Sequence, residues 1–152
     1  SIQIANSYFV PDDLTIETLQ EAMKRGVRVQ IIVPGTKIDT ELVRKASRAR
    51  WGKLLEAGAE ISEYQPTMFH CKVMVVDELW TSVGSTNFDN RSFRLNDEAN
   101  LNVYDREFAL HQRAIFEQDL KKSKRITLAQ WQNRPWQEKL LEHTSALLRS
   151  QL

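Results

Sequence analysis

Residues 69–87, FHCKVMVVDELWTSVGSTN, contain two short apolar runs separated by a tight turn, and this stretch decides the fold. The runs at residues 69–76 and 79–83 are rich in β-branched residues and predict two strands. Asp77-Glu78 is the predicted connection between them. The same stretch holds the polar pattern H-x-K-x4-D-x6-G-S-x-N, whose members are His70, Lys72, Asp77, Gly84, Ser85 and Asn87.

Away from this stretch, predicted strands and helices alternate before the strands cluster. Further strands are predicted at residues 2–5, 27–33, 60–64 and 96–104. Helices are predicted at residues 12–25, 39–55, 108–120 and 136–148. Asp39 is the expected cap of the second helix, and the expected buried face of the first is Leu14, Ile16, Leu19, Ala22 and Met23. The sequence therefore predicts an α/β fold in which a mixed β-sheet is flanked by helices, forming one domain over residues 1–152.

The composition is that of an ordinary globular domain and excludes several classes of function. The chain has 152 residues, 41% of them hydrophobic, and a formal net charge of +1, which argues against a nucleic-acid partner. Basic clusters at residues 44–53 and 121–125 are interpreted as solvated faces of helices. The single cysteine, Cys71, excludes an internal disulfide and a cysteine zinc cluster. Because the chain begins at Ser1 within a strand-like run, we expect it to be a fragment.

Alternation along the strands predicts a polar face on the sheet. His70 and Lys72 are two residues apart, so they share a face in a strand, while Cys71 points away. The same rule places Glu98 with Asn100 and Asn102. Because buried polar groups without partners are costly, such a face is expected to form the floor of a polar site.

The residue types of the motif fit metal-independent phosphodiester chemistry. A neutral His70 imidazole can attack phosphorus, and Glu98 is the expected acceptor that orients its ring. Lys72 supplies a positive charge for a phosphate oxygen. Ser85 and Asn87 are expected to donate hydrogen bonds to the same oxygens. The remaining assignments are a close backbone approach at Gly84, a turn-fixing role for Asp77, and structural or solvent-facing roles for His111 and His143.

These residues resemble the signature of the phospholipase D superfamily, whose HxKx4Dx6GSxN pattern is matched without a gap. The resemblance implies a phospholipase D-like half-domain and a site made from two such motifs. One histidine would be the nucleophile, and its partner would protonate the leaving alcohol. It implies no metal and no other cofactor. The second motif would come from the same full-length chain or from a homodimer partner.

Within the superfamily, the chain is similar to the C-terminal half of bacterial cardiolipin synthases. The similarity lies in residues 6–12 (NSYFVPD), 64–66 (YQP) and 84–101 (GSTNFDNRSFRLNDEANL). It implies transfer of a phosphatidyl group between two phosphatidylglycerol molecules at a membrane surface. The implied location is the bacterial inner membrane, with an anchor in the missing N-terminal part.

The sequence leaves alternative roles for the side chains that could contact the substrate. Arg91 and Arg94 follow the motif and either bind anionic headgroups or form structural ion pairs. Core packing is favoured over a lipid-facing position for four other side chains, Met68, Phe69, Trp51 and Trp80. Residues 136–148 have an apolar stripe and can lie on a membrane, pack on the domain, or pair with the missing half.

Two other functions remain as alternatives. One is a phospholipase D-type phosphodiesterase that hydrolyses phospholipid or nucleic acid as a homodimer; nucleic acid is disfavoured by the near-neutral charge. The other is an inactive half that only binds phosphate or anionic lipid.

Overall fold

Strands and helices alternate through the first half of the chain in the computed structural model, which describes residues 1–147. The strands are β1 (Ile2–Asn6), β2 (Val29–Pro34), β3 (Glu60–Tyr64), β4 (Lys72–Val76), β5 (Trp80–Gly84), β6 (Asn100–Tyr104) and β7 (Ser123–Ile126). The helices are α1 (Asp13–Lys24), α2 (Glu41–Glu56), α3 (Asn90–Arg94), α4 (Arg106–Lys121), α5 (Leu128–Gln132) and α6 (Trp136–Leu147). None of the helices within residues 1–147 is long and apolar enough to cross a membrane.

The strands form one mixed sheet in the order β6-β5-β4-β1-β2-β3-β7. Strands β1, β2 and β3 are parallel, and β4 runs antiparallel to β1 with Asn6 opposite Lys72. The β4–β5, β5–β6 and β3–β7 pairs are antiparallel. The carboxyl ends of β1, β2, β3 and β5 therefore lie beside the starts of β4 and β6. We call this side of the sheet the carboxyl edge. The predicted mixed sheet flanked by helices is confirmed.

Two apolar clusters hold the helices against the sheet. The larger one joins the β1–β2–β3 side chains Ile4, Ile31 and Ile61 to Trp51 and Leu54 of α2. All five are fully buried. The smaller cluster packs Phe116 of α4 against Ile32 and Phe69. Each apolar cluster fixes its helix against the sheet. The loops at the carboxyl edge therefore start from rigid elements.

Helix α1 buries its predicted face except at Leu14, and α2 lacks its predicted cap. Leu14 is 70% exposed, whereas Ile16 and Leu19 are buried. Leu14 precedes Ile16 by two residues, and a rotation of about 100° per residue turns it to the opposite side of the helix. Asp39 does not cap α2; its carboxylate accepts a hydrogen bond from the Tyr8 hydroxyl at 2.5 Å. The residue before α2 is Thr40, which makes no side-chain capping bond.

Strands β4 and β6 are shorter than predicted. Strand β4 begins at Lys72 because its partner β1 ends at Asn6, so residues 69–71 form a loop. Strand β6 begins at Asn100, opposite Gly84, and residues 96–99 form a second loop. His70 and Glu98 therefore lie in loops, and the alternation used to place them does not apply.

The basic clusters have other roles than the predicted solvated helix faces. Residues 123–126 form β7, where Lys124 lies opposite Glu63 of β3. On α2, Arg44 and Arg48 are about 15% exposed and bind carboxylates. Tertiary pairing to β3 overrides the local helical pattern that continues from α4. Helices α3 and α5 and strand β7 were not predicted.

Helix α6 packs on α2 through its polar side. Glu142 is almost fully buried and binds Arg48 at 2.9 Å and Arg134 at 2.6 Å. Trp136 and Leu140 are exposed on the outside of the helix. Of the three possibilities left open by the sequence, packing on the domain is therefore observed. Leu148, the end of the predicted helix, lies outside the described residues.

Candidate active site

The candidate site lies at the carboxyl edge of the sheet. Four connections meet there: residues 7–12 after β1, 35–40 after β2, 65–71 before β4 and 85–99 between β5 and β6. The first connection contributes Ser7, the third His70, and the last Ser85, Asn87 and Glu98. Reversal of chain direction at β4 thus brings together residues that are far apart in the sequence.

A hydrogen-bonded chain runs through the centre of the site. The Lys72 ammonium donates to Ser7 Oγ at 2.8 Å, and Ser7 donates to Asn87 Oδ1 at 2.8 Å. Lys72 Nζ also lies 3.3 Å from Nδ1 of His70. Partial burial lowers the pKa of Lys72 from its ordinary value. The site therefore holds a partly desolvated cation beside an imidazole.

His70 itself is accessible. It lies just before β4, is exposed to solvent, and meets the Tyr8 ring edge-on at a centroid distance of 6.2 Å. The next residue, Cys71, packs on the other side of the sheet against the cluster that contains Phe116. Burial raises the pKa of the Cys71 thiol to about 12. The predicted opposite orientation of His70 and Cys71 is therefore observed, although His70 lies in a loop.

Glu98 has partners other than the one expected. Its carboxylate accepts hydrogen bonds from Ser85 Oγ, from Ser92 Oγ at 2.9 Å and from Asn96 Nδ2 at 3.3 Å. These bonds, the one from Ser85 foremost, lower the pKa of Glu98. The expected hydrogen bond, donated by the His70 ring to Glu98, is not formed in the described part of the chain. The turn of α3 brings Ser92 to Glu98 and holds the carboxylate on that side of the site.

Ser85 and Gly84 are fixed by the neighbouring strand. Ser85 Oγ donates to Glu98 and accepts from the Ala99 amide at 3.0 Å. A Cβ atom on Gly84 would collide with the side chain of Asn100 and the carbonyl of Ala99. Glycine is therefore required by the close approach of the chain entering β6. The expected close approach at Gly84 exists, and its partners are the carbonyl of Ala99 and the side chain of Asn100.

The arginines that follow the motif are both exposed. Arg91 lies beside a cleft of about 270 Å³ that is also lined by Tyr8, Asn87 and Asn96. Arg94 is 3.9 Å from the carboxylate of Asp12. Asp77 lies at the opposite edge of the sheet, in the β4–β5 turn, with a φ of 52°. Its placement agrees with the expected turn-fixing role and separates it from the site.

Two contributors were not assigned a role from the sequence. Asn6 is 1% exposed, and its Oδ1 accepts from the amides of Tyr8 and Phe88 at 3.1 and 3.3 Å. It thus ties the loop after β1 to the loop after β5. Ser7 bridges Lys72 and Asn87. The NSYFVPD run at residues 6–12 supported the resemblance, and its polar start was the available signal.

The other candidate residues fall outside the site. His111 is exposed on α4, and the side chain of His143 lies outside the described atoms. Trp51 and Phe69 are buried as expected, and Trp80 is half-buried. Met68 is 55% exposed, which contradicts the expected core position, because its loop leaves the sheet before β4 begins. Within the described residues, no group of three histidine, cysteine or acidic side chains is arranged to hold a metal ion.

A larger cavity of about 550 Å³ lies between α2, β7 and α6. Its walls carry Arg44, Arg48, Glu63, Arg134 and Glu142, whose charges pair with one another. Among the described side chains, its lining holds no histidine, serine or cysteine. The described members of the motif lie at the carboxyl edge and do not line this cavity.

Comparison with known proteins identifies the family of the chain. The family model described as "Cardiolipin synthase, PLD-like domain" matches residues 1–120. The cardiolipin synthase of Alkalihalophilus pseudofirmus is 38% identical over 148 residues, covering 97% of this chain and 29% of the relative. Cardiolipin synthase 1 of Staphylococcus epidermidis is 36% identical, covering 97% of this chain and 30% of the relative. The chain thus spans less than a third of the length of these relatives.

Two solved structures share the fold at low sequence identity. Nuc, a phospholipase D family member from Salmonella typhimurium, has a TM-score of 0.70 at 20% identity and covers 82% of each chain. The phosphatidylserine synthase of Haemophilus influenzae has a TM-score of 0.72 at 18% identity, covering 99% of this chain and 41% of that one. The solved structures show the fold, and the family match over residues 1–120 shows that the chain belongs to the cardiolipin synthase family of phospholipase D-like domains.

Proposed function

We propose that this chain provides one half of a phosphatidyltransferase site that makes cardiolipin from two phosphatidylglycerol molecules. The observation that carries the proposal is the chain of contacts from His70 through Lys72 and Ser7 to Asn87 at the carboxyl edge. It joins an accessible imidazole to a cation and an amide, which are the groups that a phosphoryl centre needs. Membership of the family supports the same reaction.

In the first step, a nitrogen of His70 attacks the phosphorus of one phosphatidylglycerol. A P–N bond forms, the P–O bond to the glycerol headgroup breaks, and the glycerol oxygen takes a proton from a second histidine. Lys72 balances the charge on the phosphate oxygens. Because Asn87 Oδ1 accepts from Ser7, the amide hydrogens of Asn87 remain available to donate to the phosphate.

In this chain without substrate, Lys72 contacts the His70 ring, and this contact has to break before His70 can attack. Lys72 Nζ lies 3.3 Å from Nδ1, and an ammonium can donate to this nitrogen only in the tautomer that carries the ring proton on Nε2. A nucleophilic Nε2 requires the proton on Nδ1 instead. An anionic phosphate attracts the Lys72 ammonium and so releases Nδ1. Substrate binding thereby prepares the nucleophile.

In the second step, the hydroxyl of another phosphatidylglycerol attacks the phosphohistidine. A P–O bond forms, the P–N bond breaks, and the second histidine takes the proton from the hydroxyl. Attack by water at this stage gives phosphatidic acid, so transfer requires that water be kept from the phosphohistidine. The same half-site therefore supports hydrolysis where water is admitted, which is the second candidate activity.

The second histidine is proposed to come from another motif of the same type. His70 is exposed, and the other described histidine ring, His111, lies on α4 away from the motif. A second copy related by a two-fold axis or another part of a longer chain would supply the partner. The greater length of the relatives supports another part of a longer chain as the source of this histidine. A membrane anchor in such a longer protein, at the bacterial inner membrane, belongs to the same proposal.

Mass spectrometry of lipids tests the proposal directly. This chain, and any longer protein that contains it, is incubated with phosphatidylglycerol in EDTA beside its His70→Ala variant. Cardiolipin that appears only with the intact His70 supports transfer, and phosphatidic acid alone supports hydrolysis. Identical product from the His70→Ala variant contradicts the proposal. If only the longer protein is active, the partner motif lies in the same chain.

A further inference from the structure

We infer that the cleft beside Tyr8 is a pocket for the free hydroxyls of a glycerol headgroup, and that Tyr8 and Asn96 make the site select lipids that carry them. This inference rests on the proposed function and adds the residues that recognise the substrate. The cleft has a volume of about 270 Å³. We call it the headgroup cleft.

The headgroup cleft opens directly from the motif. Asn87 lines it and is linked through Ser7 to Lys72. Tyr8 lines it as well, and its ring meets the His70 imidazole edge-on. A lipid phosphate held by Lys72 and Asn87 therefore has its headgroup beside the opening of the cleft.

The lining of the headgroup cleft offers both hydrogen-bond donors and acceptors. Of its lining side chains, only Val43 is apolar. The polar ones are Tyr8, Thr40, Asn87, Asp89, Arg91 and Asn96. A hydroxyl both donates and accepts, whereas a phosphate oxygen only accepts and an ammonium only donates. The mixed lining therefore fits a polyol better than either kind of ion.

Several of these groups have hydrogen-bonding capacity left for a ligand. The Tyr8 hydroxyl donates to Asp39 Oδ2 at 2.5 Å, so its direction is fixed and its oxygen can accept from a ligand hydroxyl. Burial, with the bond to Asp39, raises the pKa of Tyr8 and keeps this hydroxyl protonated. Asn96 donates to Glu98 through Nδ2 at 3.3 Å, and its Oδ1 can accept. Asn87 accepts through Oδ1 and can donate through its amide hydrogens.

The charges around the headgroup cleft favour a neutral headgroup. Arg91 is exposed and forms no ion pair within residues 1–147, so it repels the positive headgroup of an ethanolamine or choline lipid. Three carboxylates also lie at this edge, those of Asp39, Asp89 and Glu98. They repel any anion beyond the one phosphate that Lys72 would bind. A glycerol unit carries no charge and meets neither repulsion.

Binding of soluble short-chain lipids, followed by the amide chemical shifts of the isotope-labelled chain, tests the headgroup cleft without requiring turnover. The probes are dihexanoylphosphatidylglycerol and dihexanoylphosphatidylpropanol, both kept below the concentration at which micelles form. They share their charge and their headgroup carbon chain, and differ only in the headgroup hydroxyls. We expect phosphatidylglycerol to bind roughly fivefold or more tightly, and it alone to shift the amides of Tyr8 and Asn96.

The matched variants are Tyr8→Phe and Tyr104→Phe. Tyr8→Phe removes the hydroxyl and keeps the ring, so it should lower the preference for phosphatidylglycerol to less than about twofold and leave the affinity for phosphatidylpropanol within about twofold. Tyr104→Phe makes the same change at a side chain that is 78% exposed at the far end of β6, and should keep the full preference.

A second variant, Asn96→Ala, removes a different wall of the headgroup cleft and should lower the preference about threefold. The amide spectra show that each variant is folded. The inference is overturned if the unmodified chain binds no phosphatidylglycerol, if it binds both lipids equally, or if Tyr8→Phe keeps the full preference.

The result can be separated from the fate of the proposed reaction. Selective binding through Tyr8, with no lipid product from this chain or from a longer protein that contains it, refutes the proposed function and supports the headgroup cleft. Turnover that depends on His70 but uses phosphatidylpropanol and phosphatidylglycerol equally well supports the function and refutes the headgroup cleft.

Discussion

Two polar clusters of this molecule differ in how completely their groups are paired. In the cluster between α2 and α6, Arg48, Glu63, Arg134 and Glu142 are nearly buried, and each charge has an opposite charge within 2.9 Å. At the carboxyl edge, His70 is exposed and the donors of Lys72 and Asn87 are only partly used. Complete pairing identifies a cluster that holds the fold, and incomplete pairing one that can receive a ligand.

The α2–α6 cluster combines several charges with a cavity of about 550 Å³. Its arginines are occupied by carboxylates. Arg48 also stacks over Trp51, and Arg134 over Trp131, at 5.5 and 3.9 Å. Buried charges tolerate no loss of a partner. The cluster is therefore expected to govern stability, and the carboxyl edge to govern activity.

The largest expected effect is the loss of activity in His70→Ala. Removal of the proposed nucleophile should lower phosphatidyl transfer by roughly ten-thousandfold or more, while the stability changes by less than about 0.5 kcal/mol, because His70 is exposed. Single-turnover lipid analysis and thermal unfolding measure the two quantities. His111→Ala, an exposed histidine on α4, is the matched control and should keep full activity. Substantial turnover in His70→Ala would remove His70 from the mechanism.

The second effect concerns Cys71, the neighbour of His70 on the other side of the sheet. Burial raises the pKa of its thiol to about 12 from the model-peptide value of 9.0. At pH 8, its thiolate fraction, and with it alkylation by iodoacetamide, should be about a thousandfold lower than for a free thiol. Labelling followed by mass spectrometry, with a urea-unfolded sample as control, measures this. Rapid labelling of the folded chain would mean that the loop before β4 opens readily.

The third effect is on stability, in Glu142→Ala. This change leaves Arg48 and Arg134 without their shared carboxylate. The expected loss is about 3 kcal/mol, roughly a 150-fold shift of the folding equilibrium. Urea unfolding followed by circular dichroism measures it. Glu138→Ala is the control, because that carboxylate is exposed and 3.8 Å from Arg48, and it should cost less than about 1 kcal/mol. Equal losses would show that burial does not distinguish the two pairs.

The smallest effect is expected for Glu98→Gln. Glu98 accepts a hydrogen bond from Ser85, and under the proposed mechanism it positions Ser85 without reacting, so transfer should fall about tenfold, far less than in His70→Ala. Its hydrogen bonds lower its pKa in the folded state, so the unfolded chain binds a proton first as the pH falls. The stabilisation is complete above about pH 4.5 and is lost as the pH falls through the lowered folded pKa.

Glu98→Gln should therefore flatten the dependence of stability on pH below about 4.5. Urea unfolding at a series of acidic pH values measures this, with Asp97→Asn as the neighbouring control. A loss of activity as large as that of His70→Ala, in a folded protein, would give Glu98 a direct part in the reaction. An unchanged pH profile would contradict the stabilising role of its hydrogen bonds.

Sequence-based prediction was accurate for the periodic helices and strands and less accurate for β7 and for the ends of β4 and β6, for physical reasons. Apolar periodicity located α1, α2, α4 and the strands from β1 to β6, because burial of one face requires that pattern. It missed β7, since residues 123–126 become a strand only by pairing with β3. It also extended β4 and β6 into loops, because strands end where their partners end.

For the site, the sequence by itself determined which residue types are present and the family to which they belong. The ungapped motif from His70 to Asn87 resembles the phospholipase D signature, and the family match over residues 1–120 agrees with that resemblance. Only the tertiary structure decided which groups touch: Ser7 joins Lys72 to Asn87, and Glu98 turns to Ser85 instead of His70. Only it separated the paired arginines of α2 from the exposed arginines of α3. Local spacing is encoded along the chain, whereas contacts between distant loops depend on the sheet order that brings them to one edge.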